Sequence, residues 1–214
     1  MTKAEDFDFD AGDLSLDFAN TAEMHASDNP EELLNDYNDL VTWGQAAGLI
    51  PPERAKNLRQ LAKEHPPEAS AVYQRAIQLR EASYRIFSNL SWEADVNQED
   101  LDILNQVLSQ ALPHIRLMPT PTGFDWEWDH ESETLEQIIW PVARSAADLL
   151  TSENLDRVSK CEDDRGCGYL FLDMSRNRSR RWCSMESCGN RAKAMRHYQR
   201  QRDSGRSTSN RPNS

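Results

Sequence analysis

Apolar residues recur at helical spacing over most of the first 150 positions, and the interruptions between these runs mark off a series of elements. The segment AGDLSLDFANTA alternates weakly at Leu14, Leu16 and Phe18, which fits either a short strand or the first turn of a helix. Asp28-Asn29-Pro30-Glu31-Glu32 reads as an N-cap and helix start, and Leu33, Tyr37, Leu40, Val41 and Gly44 carry that helix to about Gly48. Pro51-Pro52 opens the next helix, with Leu58 and Leu61 inward, and Pro66-Pro67 closes it. The clearest period runs from about Glu68 to Ser91. Val72, Ala76, Leu79, Ser83, Ile86 and Leu90 form one stripe, with Tyr73, Ile77, Arg80, Tyr84 and Phe87 beside it. Asn97 caps a helix through Leu101, Leu104, Leu108 and Leu112. Between Pro113 and Asp129 the period changes to alternation on both sides of a Pro-Thr-Gly turn, which predicts a β-hairpin. A last long helix is expected over Ser132–Thr151, kinked at Pro141.

The charge is distributed unevenly. The 214 residues carry a net charge of -12, with 38% hydrophobic and 28% charged residues and a mean hydropathy of -0.79. Residues 1–154 hold 10 Lys/Arg against 29 Asp/Glu, a balance of -19. Residues 155–214 hold 14 against 7, a balance of +7. Four thiolates and one Zn²⁺ lower the second figure to about +5, so the basic excess survives metal binding. Such asymmetry marks two parts, of which only the second suits a polyanion. No apolar run is long enough for a membrane span, and the acidic start MTKAEDFDFD does not read as a signal peptide, so the expectation is a cytoplasmic protein without membrane contact.

All four cysteines, Cys161, Cys167, Cys183 and Cys188, lie in the basic part as C-x5-C, fifteen residues, then C-x4-C. Two pairs of soft thiolates suit one structural tetrahedral Zn²⁺ better than disulfides in a reducing compartment. The first gap is wider than usual, and Gly166 and Gly168 supply the turns it needs. YLFLD and RRWC read as strands joined by the basic turn MSRNRSR, and GNRAKAMRHYQRQR after Cys188 reads as a helix. The layout is treble-clef or zinc-ribbon-like. Cys188, Ala192, Met195 and Gln199 share the face of that helix expected to look back at the metal, and Lys193, Arg196 and Arg200 line another. With Arg176, Arg178, Arg180 and Arg181 of the turn, they form the expected nucleic-acid surface, to which Asn190 and Arg191 add either base-reading groups or supports for the zinc loop. Trp182 either packs on the hairpin or stacks on a base. The tail from Arg202, RDSGRSTSNRPNS, is expected to be disordered.

Arg178-Ser179-Arg180-Arg181-Trp182-Cys183-Ser184-Met185, followed by Cys188-Gly189-Asn190-Arg191 and Lys193, resembles the CGNR zinc finger. The acidic part before it resembles the ABATE domain, a helical bacterial domain with a β-hairpin insert, on the landmarks Leu16-Asp17-Phe18-Ala19-Asn20-Thr21, Trp43, Leu79-Arg80-Glu81-Ala82 and Phe171-Leu172-Asp173. The resemblance covers nearly the whole chain. It implies a stress-responsive transcription regulator, with the finger on DNA and the larger domain sensing a ligand. The five-residue gap between the first two cysteines is the one departure.

The expected fold is therefore mainly α: a helical domain with one hairpin over 1–155, a four-cysteine module over 156–202, and a tail over 203–214. Asp17, Asn20, Thr21 and Arg80 are the ligand candidates in the first domain. Against that, Asp17, Asn20 and Thr21 equally suit a helix cap, and Arg80 a buried ion pair with Asp17 or Glu81. Trp126 and Trp128 point the same way on the hairpin and either line a site or cover the core. The basic cluster has its own alternatives: docking on the acidic first domain, or binding a protein or RNA partner. None of the five His lies in a zinc-hydrolase or deaminase pattern, and no P-loop, nucleophile elbow or dinucleotide fingerprint occurs, so an enzyme is not expected. A homodimer, or else a second protein, would make sense because one small module reads only a few base pairs.

Overall fold

The computed structural model describes residues 2–129, 134–163 and 165–208, with side chains as far as Gln199. Element order is α1 (Leu14–Ala19), β1 (Ala22–Glu23), β2 (Glu31–Glu32), α2 (Tyr37–Ala46), α3 (Pro52–Glu64), α4 (Pro66–Leu90), α5 (Gln98–Ala111), β3 (Ile115–Thr120), β4 (Gly123–Trp128), α6 (Ile139–Leu150), β5 (Val158–Lys160), β6 (Leu170–Leu172) and α7 (Asn190–Thr208). Helices α1 to α6 pack around one core whose largest fully buried side chains include Trp43, Trp140, Phe18 and Phe87. The strands form three antiparallel pairs, β1 with β2, β3 with β4, and β5 with β6.

Local chemistry sets most of these boundaries. Asn97 accepts from the Glu99 N–H and caps α5, as expected. The AGDLSLDFANTA segment resolves as helix, because the Asp13 carboxylate accepts from the Ser15 N–H and caps α1. Proline at the first turn starts both α3 and α4, so α4 begins at Pro66, two residues before the expected start.

Two expectations are corrected. Residues 28–36 are not helical. Glu31–Glu32 pair with Ala22–Glu23, and the true cap of α2 is Asp36, whose carboxylate accepts from the N–H groups of Asn38 and Asp39. Extended backbone there lets Glu32 reach Arg80, a demand made from 48 residues away. The last helix is also shorter than expected. A 3-10 turn covers Leu135–Ile138, and Pro141 lies in the first turn of α6, where its missing N–H costs little, so it marks the start of the helix and makes no kink in its interior. The expected start at Ser132 lies outside the described residues.

The hairpin β3–β4 forms as expected, with Ile115 facing Trp128, Leu117 facing Trp126 and Pro119 facing Phe124. Trp128 packs against Trp140 at 6.2 Å and so covers the core, while Trp126 stays half-exposed under the Arg144 guanidinium.

Strand β6 fastens the cysteine-bearing part to the helices. Side chains of a strand alternate in direction: Leu170 and Leu172 join the helical core, whereas Phe171 points into a second, small core with Cys161 and Cys188. The backbone of α7 remains helical through Thr208, beyond the expected start of the tail at Arg202. Residues 209–214 lie outside the described residues.

Candidate metal centre and basic surface

The first cysteine pair sits between β5 and β6. Cys161 follows β5, Cys167 precedes β6, and the Cys161 N–H donates to the Tyr169 carbonyl across the neck of the loop (2.9 Å). The expected strand pairing is corrected here. β6 pairs with β5 upstream, with Ser159 opposite Phe171, and Arg181–Cys183 forms no strand. A single backbone bond, from the Glu162 N–H to the Arg181 carbonyl, brings the second cysteine segment alongside. Cys183 precedes a π turn over Met185–Gly189 that leads into α7 and carries Cys188. The Ser184 hydroxyl caps that turn by accepting from Glu186 and Ser187.

The four Sγ atoms lie within 4.8 Å of one another, with Cys167–Cys183 at 3.7 Å and Cys183–Cys188 at 3.5 Å. Tetrahedral Zn–S bonds of about 2.3 Å would place sulfurs about 3.8 Å apart, so shifts of no more than about 1 Å between sulfurs bring the set onto such an ion. The electrostatics agree. Cys161 is pushed down by its Cys167 and Cys183 neighbours and by backbone N–H groups of Cys183 and Asp163, while the same crowding pushes Cys183 up. Four thiolates at this spacing need a cation to offset their repulsion.

Gly166 and Gly168 allow the wide first loop for two reasons. Both have positive φ (+88° and +68°), and a Cβ would lie 2.7 Å from Ser27 at the first and 2.4 Å from the Tyr84 hydroxyl at the second. The helical domain presses directly on this loop. The Ala26 N–H donates to the Gly166 carbonyl (3.1 Å), and the Tyr84 hydroxyl donates to the Gly168 carbonyl (3.0 Å).

Most of the expected nucleic-acid residues turn out to hold the module together. Arg191 donates through Nε and Nη2 to the buried Asp163 and through Nη2 to the Cys188 sulfur (2.8 Å), an outer-shell support for a metal ligand. Asn190 donates to the Glu186 carbonyl and closes the π turn, the zinc-loop alternative of the sequence reading. Arg180 stacks on Phe171 at 4.2 Å and donates to the carbonyls of Trp182 and Cys183. Arg178 pairs with Asp156, and Arg181 pairs with Glu162. Half-buried Trp182 packs in the small core, with the guanidinium groups of Arg181 and Arg196 over its ring at 5.2 and 5.5 Å. Arg176, Lys193 and Arg196 are exposed, and among the described residues they enter no ion pair. The Arg200 side chain lies outside the described residues. Ala192, Met195 and Gln199 of α7 line an open cleft with Trp182, and Arg196, expected on another face of the helix, lines it too.

The sequence did not single out Asp163, and it marked Asp173 only as a family landmark, without a role. Buried Asp173 accepts from the N–H groups of Ser175 and Arg180 and ties off the basic turn. An Asp directly before a Ser-rich turn was the available signal. For Asp163 it was a carboxylate two residues after a ligand.

The ligand candidates of the first domain do not converge on one cavity. Asp17 accepts from the Ala11 N–H, and burial, then the acidic neighbours Asp8, Asp13 and Asp10, push its carboxyl up to about 7. Asn20 binds the Leu170 backbone on both sides, donating to its carbonyl and accepting from its N–H, each at 2.9 Å. Thr21 donates to the Phe18 carbonyl. Arg80 takes the buried ion pair foreseen as its alternative, with partners Glu32 (2.5 and 2.7 Å) and Glu81 (2.9 Å) and not Asp17. Despite the cost of burying it, Glu81 is held at about 2 by His25 and Arg80. Arg80 and Glu81 border an open cleft of about 340 Å³ with His25 and Tyr84, and Asp17, Asn20 and Thr21 do not line it. No helix among the described residues is long and apolar enough to cross a membrane.

Fold and site together define a helical domain fused through a shared core to a small four-cysteine metal module. Comparison with family models agrees at both ends. Residues 12–153 match ABATE, described as "Putative stress-induced transcription regulator", and residues 157–201 match the CGNR zinc finger. The chain belongs to the ABATE family and carries a CGNR zinc finger at its C-terminal side. No curated protein matches it.

Proposed function

We propose that this protein is a transcription regulator whose zinc module binds DNA, with Zn²⁺ as a structural ion on Cys161, Cys167, Cys183 and Cys188. The observation that carries the reading is the division among the cations. Arg178, Arg181 and Arg191 are neutralised within the module, by Asp156, Glu162 and Asp163, whereas Arg176, Lys193 and Arg196 face solvent with no carboxylate partner among the described residues. The metal fastens the loop bearing Arg176 and the helix bearing Lys193 and Arg196 to one body, so their charges act together on a polyanion. The acids that neutralise the module belong to the module itself. The reading in which the finger docks on the acidic first domain through these arginines therefore has no ion pair behind it among the described residues. The larger domain holds the zinc loop by Ala26 and Tyr84, beside the cleft at His25 and Arg80, and a ligand there would be felt by the finger.

The test is electrophoretic mobility of random duplex DNA with the zinc-loaded full chain over a salt series. Each phosphate contact contributes about 0.9 to the slope of log K against log salt. Lys193→Ala with Arg196→Ala is expected to flatten that slope by about 1.8 while leaving zinc content unchanged. No binding at low salt, or a slope untouched by the double substitution, would count against DNA as the partner and favour a protein contact.

A further inference from the structure

The β3–β4 hairpin carries an apolar face that the described residues leave largely exposed toward its tip. Cross-strand partners lie on the same side of a sheet, so Ile115 with Trp128, Leu117 with Trp126 and Pro119 with Phe124 build one ladder of apolar pairs. The opposite side holds Arg116 with Glu127 and Met118 with Asp125. At its base the ladder joins the helical core through half-buried Trp128. Toward the tip it leaves the core, with Trp126 52%, Leu117 55% and Phe124 72% exposed.

We infer that this face is where a second copy of the chain docks, hairpin against hairpin across a two-fold axis. Three arguments favour that occupant. The first is area. Leu117, Trp126 and Phe124 leave about 400 Å² of apolar surface in water, within the range of about 300–600 Å² in which the largest patch of a monomer is often functional. Two such faces remove about 800 Å², close to the apolar share of a standard interface of about 1,600 Å². The second is self-complementarity. Each pair sets an aliphatic side chain beside an aromatic one, so a two-fold rotation lays the Trp126–Phe124 row of one copy over the Leu117–Pro119 row of the other. The third is charge. Every ionised group of the two strands themselves lies on the reverse side, and the charge that does reach the ladder, the Arg144 guanidinium over Trp126, leaves Leu117 and Phe124 at the tip as a purely apolar surface.

Sedimentation equilibrium of the zinc-loaded full chain over a hundredfold concentration range tests this. The expected result is twice the chain mass of 24.5 kDa. Leu117→Asp combined with Phe124→Asp should return the single-chain mass at every concentration, with an unchanged far-UV spectrum because both side chains are exposed. Phe124→Ser alone should weaken association at least tenfold. Met118→Asp, on the reverse side, should leave the dimer intact. A wild-type chain that stays at 24.5 kDa overturns the proposal, as does a double variant that still dimerises or a Met118→Asp chain that dissociates equally.

Discussion

Asn20 takes the place of a missing strand. Its amide donates to the Leu170 carbonyl and accepts from the Leu170 N–H, so one side chain satisfies the backbone of a residue that is 0% exposed. Asn20→Ala would strand both groups. An unsatisfied buried donor or acceptor costs about 1–3 kcal/mol, which puts the loss between about 2 and 6 kcal/mol. Some water can enter the space left by the amide, so we expect about 3 kcal/mol, a large part of the 5–15 kcal/mol typical of a domain. Urea unfolding followed by tryptophan fluorescence in excess zinc measures it. Because β6 contributes to both the helical core and the metal core, one transition should report both. Zinc release to a chelator should also accelerate, since β6 begins three residues after Cys167. A loss below about 1 kcal/mol would refute the bridge and return Asn20 to the status of a ligand contact.

Other outcomes follow from the same geometry. Asp17 has a folded pKa of about 7, above the usual carboxylate value, so the folded state holds a proton that the unfolded chain releases and stability falls as pH rises from about 4 to 7. Asp17→Asn removes that dependence: its melting temperature should pull ahead of wild type across this window and then stay ahead, and a difference that does not vary with pH would contradict the assignment. Arg191→Ala removes the donor to the Cys188 sulfur and should weaken zinc binding about 10- to 100-fold in a chelator competition, with little change when Lys193 is substituted instead. Gly168→Ala sets a Cβ 2.4 Å from the Tyr84 hydroxyl at φ +68° and should lower the yield of zinc-loaded protein; combining it with Tyr84→Phe should restore only part, because the backbone strain remains.

What the chain disclosed on its own was what local rules govern. Prolines and caps placed α3, α4 and α5, alternation around Pro-Thr-Gly placed the hairpin, and paired thiols placed the metal set. What escaped was set by distant partners. The extended stretch before α2 answers to Arg80, and β6 chose β5 over the RRWC segment because Leu170 and Leu172 belong to the helical core. The pairing within the basic cluster was not legible for a related reason. Net charge counts arginines without seeing which carboxylates they face, so Arg178, Arg180, Arg181 and Arg191 looked as available as Lys193. Glu162 and Asp163, written inside the same module, were the clue that its surface is partly neutralised. Asp17, Asn20 and Thr21 drew attention as polar residues at the end of an apolar stretch, and two of them turned out to satisfy backbone groups elsewhere in the fold, Asp17 at Ala11 and Asn20 at Leu170.

The most direct test of the metal centre is X-ray absorption at the zinc edge on protein purified without added metal, together with zinc content per chain. The account predicts one zinc per chain in a shell of four sulfurs at about 2.3 Å, lost when Cys161 or Cys188 becomes serine. Clearly substoichiometric zinc, or a shell containing nitrogen or oxygen in place of any of the four sulfurs, would contradict it.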